Sequence, residues 1–183
     1  MKRKYPYRTA NKERLYYSSR LLSAFFLFIV IIILCCLLFL IWFRPLRIGG
    51  DTMAPTLVEN EIILLDQLAK YWRRPQRGDI VFFEDGNGIF VKRIIALSGE
   101  SIDIKEGLVY IDSRPLDESS YVNELQGDMN LLLVPRNSVF VLGDKRSQMY
   151  DSRLETVGCI PYAHIKGVLR VRLIPITRFT LFF

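Results

Sequence analysis

Leu21 to Phe43 forms 23 consecutive residues without a charge, closed off by Arg20 and Arg44. Hydrophobic side chains continue round every face of this run, so no amphipathic stripe divides a core side from a solvent side. As a helix it reaches roughly 34 Å, enough to cross a hydrocarbon core of about 30 Å once with some tilt. A cleaved secretory signal would be shorter and followed by small residues, whereas this run ends in Ile41-Trp42-Phe43-Arg44-Pro45. The pattern predicts an uncleaved signal-anchor helix over residues 21–43, with Trp42 and Phe43 as interfacial aromatic anchors.

Beyond the anchor the period changes. Short runs rich in β-branched and aromatic residues alternate with turn residues, and predict strands at Glu61–Asp66, Asp79–Glu84, Ile89–Leu97, Ser101–Ile104, Leu108–Ile111, Ser138–Leu142 and Gly167–Ile174. Ile102-Asp103-Ile104 and Leu108-Val109-Tyr110-Ile111, joined across Lys105-Glu106-Gly107, read as a hairpin. Arg114–Pro135 is the least regular stretch. No long helical periodicity follows residue 70. The expected organisation is a basic tail (1–20), the anchor (21–43) and a mainly β domain (44–183) with a small β insertion at about 105–135. The apolar end, Ile174 to Phe183, is expected to pack on the core.

Charge sharpens this picture. Lys2, Arg3, Lys4, Arg8, Lys12, Arg14 and Arg20 against Glu13 account for the whole net charge of +6, and from Arg44 onward 18 basic residues meet 18 acidic ones. A nucleic-acid reader would carry its basic residues on the folded domain, so that class is excluded. Basic residues crowded before a span place the amino terminus in the cytoplasm and the domain outside, against the lipid bilayer. Of three cysteines, Cys35 and Cys36 lie inside the apolar run and Cys159 stands alone, so no disulfide framework exists. Cys159 reads as a small buried apolar residue. With His164 the only histidine and no CxxC spacing, neither a metal nor another cofactor is expected.

The candidate chemistry starts from the strand Ile89–Leu97. Alternation puts Phe90, Lys92, Ile94 and Ala96 on one face, so Lys92 has apolar neighbours along its own side. Burial disfavours an ammonium ion and lowers its pKa, which is what a lysine needs to act as a general base. An edge lysine or an ion pair would explain the same strand. Gly50-Asp51-Thr52-Met53-Ala54-Pro55-Thr56-Leu57, read alone, fits a tight turn into a strand. It is followed in order by Arg77-Gly78-Asp79-Ile80-Val81-Phe82, Val91-Lys92-Arg93-Ile94-Ile95, and Gly143-Asp144-Lys145-Arg146 with Asp151-Ser152-Arg153.

Together these segments resemble the boxes of type I signal peptidases, the membrane-anchored Ser/Lys proteases that remove signal peptides from exported proteins. The resemblance runs from the anchor to about Pro175. It implies a largely β catalytic core with a smaller β insertion, exported preproteins as substrates, and no cofactor. Residue by residue it places the nucleophile on Thr52, within a segment shaped by Gly50, Met53 and Pro55, and the base on Lys92. Ser152 matches the serine that orients the lysine. Asp144, Asp151, Arg153 and Arg93 match charged residues bracing the site, with Arg93 expected to pair with Asp144.

Three positions depart from the family pattern: Thr52 replaces serine, Lys145 replaces asparagine, and Met149 replaces serine. Threonine can act as a nucleophile, yet its methyl restricts χ1 and crowds an acyl-transfer site. The leading expectation is a signal peptidase with a Thr/Lys dyad. The alternative is a non-catalytic relative that binds exported proteins, for example among secretion or pilus assembly components. Soluble self-cleaving repressors of similar fold are disfavoured by the span.

Overall fold

The computed structural model describes residues 7–86, 88–148 and 150–182, and the chain forms two compact units, residues 1–41 and 42–183. The first unit is helical. Helix α1 (Tyr7–Trp42) begins within the basic tail, where no element was expected, and ends one residue before the apolar run does. From Arg20 to Trp42 it is long and apolar enough to cross a membrane, and every side chain of that stretch is exposed.

The second unit is built on β-strands. In chain order these are β1 (Phe43–Arg47), β2 (Ile62–Asp66), β3 (Ile80–Asp85), β4 (Gly88–Ala96), β5 (Ser101–Lys105), β6 (Leu108–Ile111), β7 (Arg114–Pro115), β8 (Met129–Leu133), β9 (Ser138–Leu142), β10 (Ile160–Pro161), β11 (Ile165–Ile174) and β12 (Thr180–Leu181). All seven expected strands are present, within a few residues at each end. Phe43, taken in sequence as the last residue of the span, instead opens β1 and pairs with Asp66. A polar-flanked Arg44-Pro45 gave no strand signal, and pairing with the apolar β2 overrides local propensity there.

The large sheet runs β1-β2-β11-β3-β4-β9-β10, with β12 added on β11. A second sheet, β7-β6-β5-β8, is formed by residues 101–133. The hairpin β5–β6 turns through Glu106 and Gly107, both at positive φ (52° and 76°), the geometry a two-residue hairpin loop demands. One apolar cluster joins the two sheets: Ile95, Ala96, Phe140 and Leu142 from β4 and β9 pack with Ile102, Ile104, Val109 and Ile111. Strict alternation along β4 fails at this point. A register shift between Ile94 and Ala96 accompanies burial of Ile94, Ile95 and Ala96 alike, because both faces of the strand end meet apolar partners.

The carboxyl end corrects the expectation of core packing. Phe182 packs on the cluster of Ile63, Leu65 and Leu169, but Ile174, Ile176, Phe179 and Leu181 are exposed. The turn Ile176–Arg178 belongs to no strand of the sheet. Cys159 is half-buried beside the inter-sheet cluster, and burial pushes its thiol up to about 11, as fits an inert thiol.

Candidate active site

The segment after β1 is held from within. Met53 and Leu57 are buried against Ile48, Ile63, Ile80, Phe82 and Leu169, fixing the loop at two points. Between them the Ala54 N–H donates to the Asp51 carbonyl (2.9 Å) and the Leu57 N–H to that of Met53 (2.8 Å), while Gly50 takes φ +98°. Thr52 is left half-buried at the turn, and among the described residues its N–H has no acceptor.

Lys92 arrives from β4, paired with Val81 of β3, and is 1% exposed. Among the described residues no carboxylate stands within ion-pairing distance of its Nζ. Burial is the main cause lowering its pKa; the nearby Arg153 acts the same way, and the charges of Asp151 and Asp144 oppose it. The ion-pair and edge-lysine readings of this strand are thereby set aside.

Gly143 measures how closely the two segments meet. A Cβ on this residue would lie 2.7 Å from the Thr52 carbonyl oxygen and 3.3 Å from Lys92 Nζ. The turn that follows is pinned to the Thr52 segment by the Lys145 N–H, which donates to the same Thr52 carbonyl (3.1 Å). Beside Thr52 a cleft of ≈ 380 Å³ opens, with Leu46, Ile48, Met53, Phe82, Ile89 and Val91 among its walls. Such a lining takes small apolar groups.

A family model described as signal peptidase, peptidase S26, matches residues 20–174, leaving residues 175–183 outside it. The chain belongs to this family. Among similar proteins, a probable signal peptidase I-1 of Synechocystis sp. is 32% identical over 144 residues, covering 73% of this chain and 72% of that protein. Signal peptidase I U of Bacillus subtilis (strain 168) is 37% identical over 126 residues, or 62% of this chain and 67% of that one. A Staphylococcus aureus protein named inactive signal peptidase IA is 30% identical over 148 residues, 74% of this chain and 82% of its own length. A crystal structure of a signal peptidase I from Enterococcus faecalis V583 matches with TM-score 0.46 at 32% identity, covering 53% of this chain and 97% of that one.

Within this signal peptidase framework the remaining candidate residues have defined partners. Arg93 grips Asp144 through two bonds, Nε to Oδ1 at 2.8 Å and Nη2 to Oδ2 at 2.6 Å, with the Asp144 side chain fully buried. The same guanidinium donates to Thr56 Oγ1 (3.3 Å), tying β4 to the Thr52 loop. Asp151 is fully buried, accepts two side-chain bonds and an amide bond from Arg153, and takes a longer bond from the Gly143 N–H (3.4 Å). Ser152 is buried, and its Oγ accepts the Val141 N–H (3.0 Å). Pro55 is exposed, with its carbonyl accepting from Arg178 (3.0 Å).

The departures from the family pattern are also placed. Lys145 pairs with Asp51, whose other oxygen accepts from Gln148 (2.6 Å), so the residue before Thr52 is tied to the facing turn. This pairing holds the Asp51 carboxyl below its usual range. Met149 lies outside the described residues.

Sequence reasoning missed several supports. Arg146, buried, donates to the Gly143 carbonyl (2.9 Å) and forms a two-bond pair with Glu118 (2.6 and 2.9 Å). Tyr121 donates to the same Glu118 (3.1 Å) and offers its ring to the Arg93 guanidinium at 4.1 Å. Glu118 and Tyr121 sit in the irregular stretch, where no periodicity marks a residue as structural. Glu61, Arg172 and Arg178 were likewise passed over, since strand alternation gives no sign of which charged residue turns inward.

Proposed function

We propose that this chain is a membrane-anchored signal peptidase I that cleaves exported preproteins, with Thr52 as nucleophile and Lys92 as general base. The observation that carries the reading is a buried lysine, free of any carboxylate partner among the described residues, beside the Thr52 segment. A neutral amine there takes the Thr52 hydroxyl proton as the oxygen attacks the scissile carbonyl carbon. The tetrahedral oxyanion is met by the Thr52 N–H. Collapse breaks the C–N bond, Lys92 passes its proton to the leaving amine, and an ester links the signal peptide to Thr52. A water that gives its proton to Lys92 then hydrolyses the ester and restores the hydroxyl. The role of orienting the lysine falls to Ser152 by the family resemblance, its hydroxyl being held on the Val141 N–H; Asp144, Asp151, Arg153 and Arg93 hold the turn and strand that carry the pair.

The apolar cleft beside Thr52 selects small residues next to the cut. The Arg20–Trp42 helix holds the enzyme in the bilayer, with the basic amino terminus in the cytoplasm and the domain outside, where a signal sequence still in lipid presents its cleavage site. The deciding experiment compares preprotein cleavage by the detergent-solubilised chain with Thr52→Ser, Thr52→Ala and Lys92→Ala. Cleavage that disappears in both alanine variants is the expected result; undiminished cleavage by Lys92→Ala refutes the dyad.

A second reading is favoured by one feature, the added methyl at the nucleophile position in a segment locked by the Asp51–Lys145 pair. In it the chain binds exported proteins, including pilus components, without cutting them. Silence from the natural chain with activity gained in Thr52→Ser selects this reading.

A further inference from the structure

The nucleophile loop has a second set of fastenings, made by two arginines of the carboxyl end together with Glu61. Arg172 of β11 is 7% exposed and spends its guanidinium on four acceptors: the Thr56 carbonyl (2.6 Å), Glu61 Oε2 (3.4 Å), the Arg178 carbonyl (2.6 Å) and Thr180 Oγ1 (2.7 Å). Arg178, in the turn beyond β11, donates to Glu61 Oε1 (2.8 Å) and to the Pro55 carbonyl (3.0 Å). Glu61 in turn accepts the Val58 N–H (3.2 Å), closing the loop's far end. The segment is folded back so that this can happen: Thr180 pairs with Arg172, and the Phe182 N–H donates to the Arg170 carbonyl (2.8 Å).

Two backbone carbonyls, three and four residues after Thr52, thus depend on one arginine within the β11–β2 ladder and one in the turn beyond it. A guanidinium presents its donors in a fixed fork, so two of them on adjacent carbonyls define the orientation of the strand of backbone they hold. We propose that residues 172–180 act as a positioning strap, in which Arg172 and Arg178 set the placement of the Thr52 loop. Neither residue touches substrate. Both act through the Pro55 and Thr56 carbonyls, and residues 175–180 are present to complete the strap.

Arg178 suits the test because its side chain is 41% exposed, so its loss leaves no buried hole. Arg178→Ala, Arg178→Lys and Arg172→Lys are compared with the natural chain, full length in detergent, by amide hydrogen exchange and by preprotein cleavage. Expected for Arg178→Ala is at least about tenfold faster exchange at Ala54 and Leu57, with protection in β3, β4 and β9 unchanged. In the natural or the Thr52→Ser chain, kcat falls on the order of tenfold to a hundredfold while KM stays within about twofold, the pattern of a displaced nucleophile rather than a lost binding contact. Arg178→Lys, which keeps the charge but engages one acceptor at a time, recovers part of both effects. Unchanged exchange at Ala54 and Leu57 in Arg178→Ala and Arg172→Lys overturns the strap. Only the kinetic effect depends on the peptidase reading; if neither the natural nor the Thr52→Ser chain cleaves, exchange alone decides.

Discussion

Replacing Gly143 by alanine tests how tightly the two halves of the site are fitted. The residue is not at positive φ, so its need for glycine is one of space: an added Cβ would meet the Thr52 carbonyl oxygen at 2.7 Å, against an ordinary contact of 3.4 Å or more. Relief therefore requires about 0.7 Å of movement between two backbones, and the neighbouring Lys92 Nζ at 3.3 Å closes the other direction. If a misplacement of about 1 Å costs on the order of a hundredfold, this shift lowers kcat by roughly tenfold or more. Forcing the methyl in also destabilises the domain by about 1–3 kcal/mol, a fall in Tm of a few degrees. Cleavage of a preprotein by Gly143→Ala, in the natural chain or in Thr52→Ser, is read beside Gly127→Ala, where an added Cβ meets nothing. An unaltered kcat in Gly143→Ala, with Tm also unaltered, refutes the close approach.

Lys92 carries a stability cost of definite sign. Its lowered pKa means that the folded chain binds fewer protons than the unfolded one between that lowered value and the ordinary lysine range. Stability rises with pH through that window, and below it the burial penalty applies in full. Lys92→Met is expected to raise Tm at neutral pH, to lose that alkaline gain and to abolish cleavage; a lower Tm at neutral pH contradicts the assignment. Asp144→Asn leaves the mostly buried Arg93 guanidinium without its counter-charge, a loss of about 3–5 kcal/mol. Urea unfolding measures it, and a change below about 1 kcal/mol excludes a structural role for the pair.

What could be read in sequence was whatever repeats or keeps a fixed spacing. The apolar run of the anchor, the seven strands and the Glu106-Gly107 turn all announce themselves by period or by turn chemistry. The ordered boxes led to Thr52 and Lys92, and the Arg93–Asp144 pair was expected before it was seen. β1 was hidden because Arg44-Pro45 has poor strand propensity and forms only through pairing with β2. The bracing residues were hidden for a different reason. Glu118, Tyr121, Arg172 and Arg178 act over separations of tens of residues in the chain, and a charged or aromatic side chain in a loop looks the same whether it faces water or a buried partner. The exposed face of the carboxyl end follows from the same limit, since apolar composition alone does not say which side chains the core has room for.

The strand order has a consequence for when the two halves of the large sheet can be joined. β11, near the end of the chain, lies between β2 and β3, which share no ladder with each other. The loop bearing Thr52 is attached to the β1–β2 side, and Lys92 to the β3–β4 side. Until residues 165–174 have been synthesised no strand ladder joins the two, and the Lys145 N–H on the Thr52 carbonyl is left to hold them by a single backbone bond. Such a long-range closure is a late event in folding. The large sheet is thus closed by a strand made long after its two neighbours: a chain stalled before β11 holds β2 and β3 as separate halves with no ladder between them.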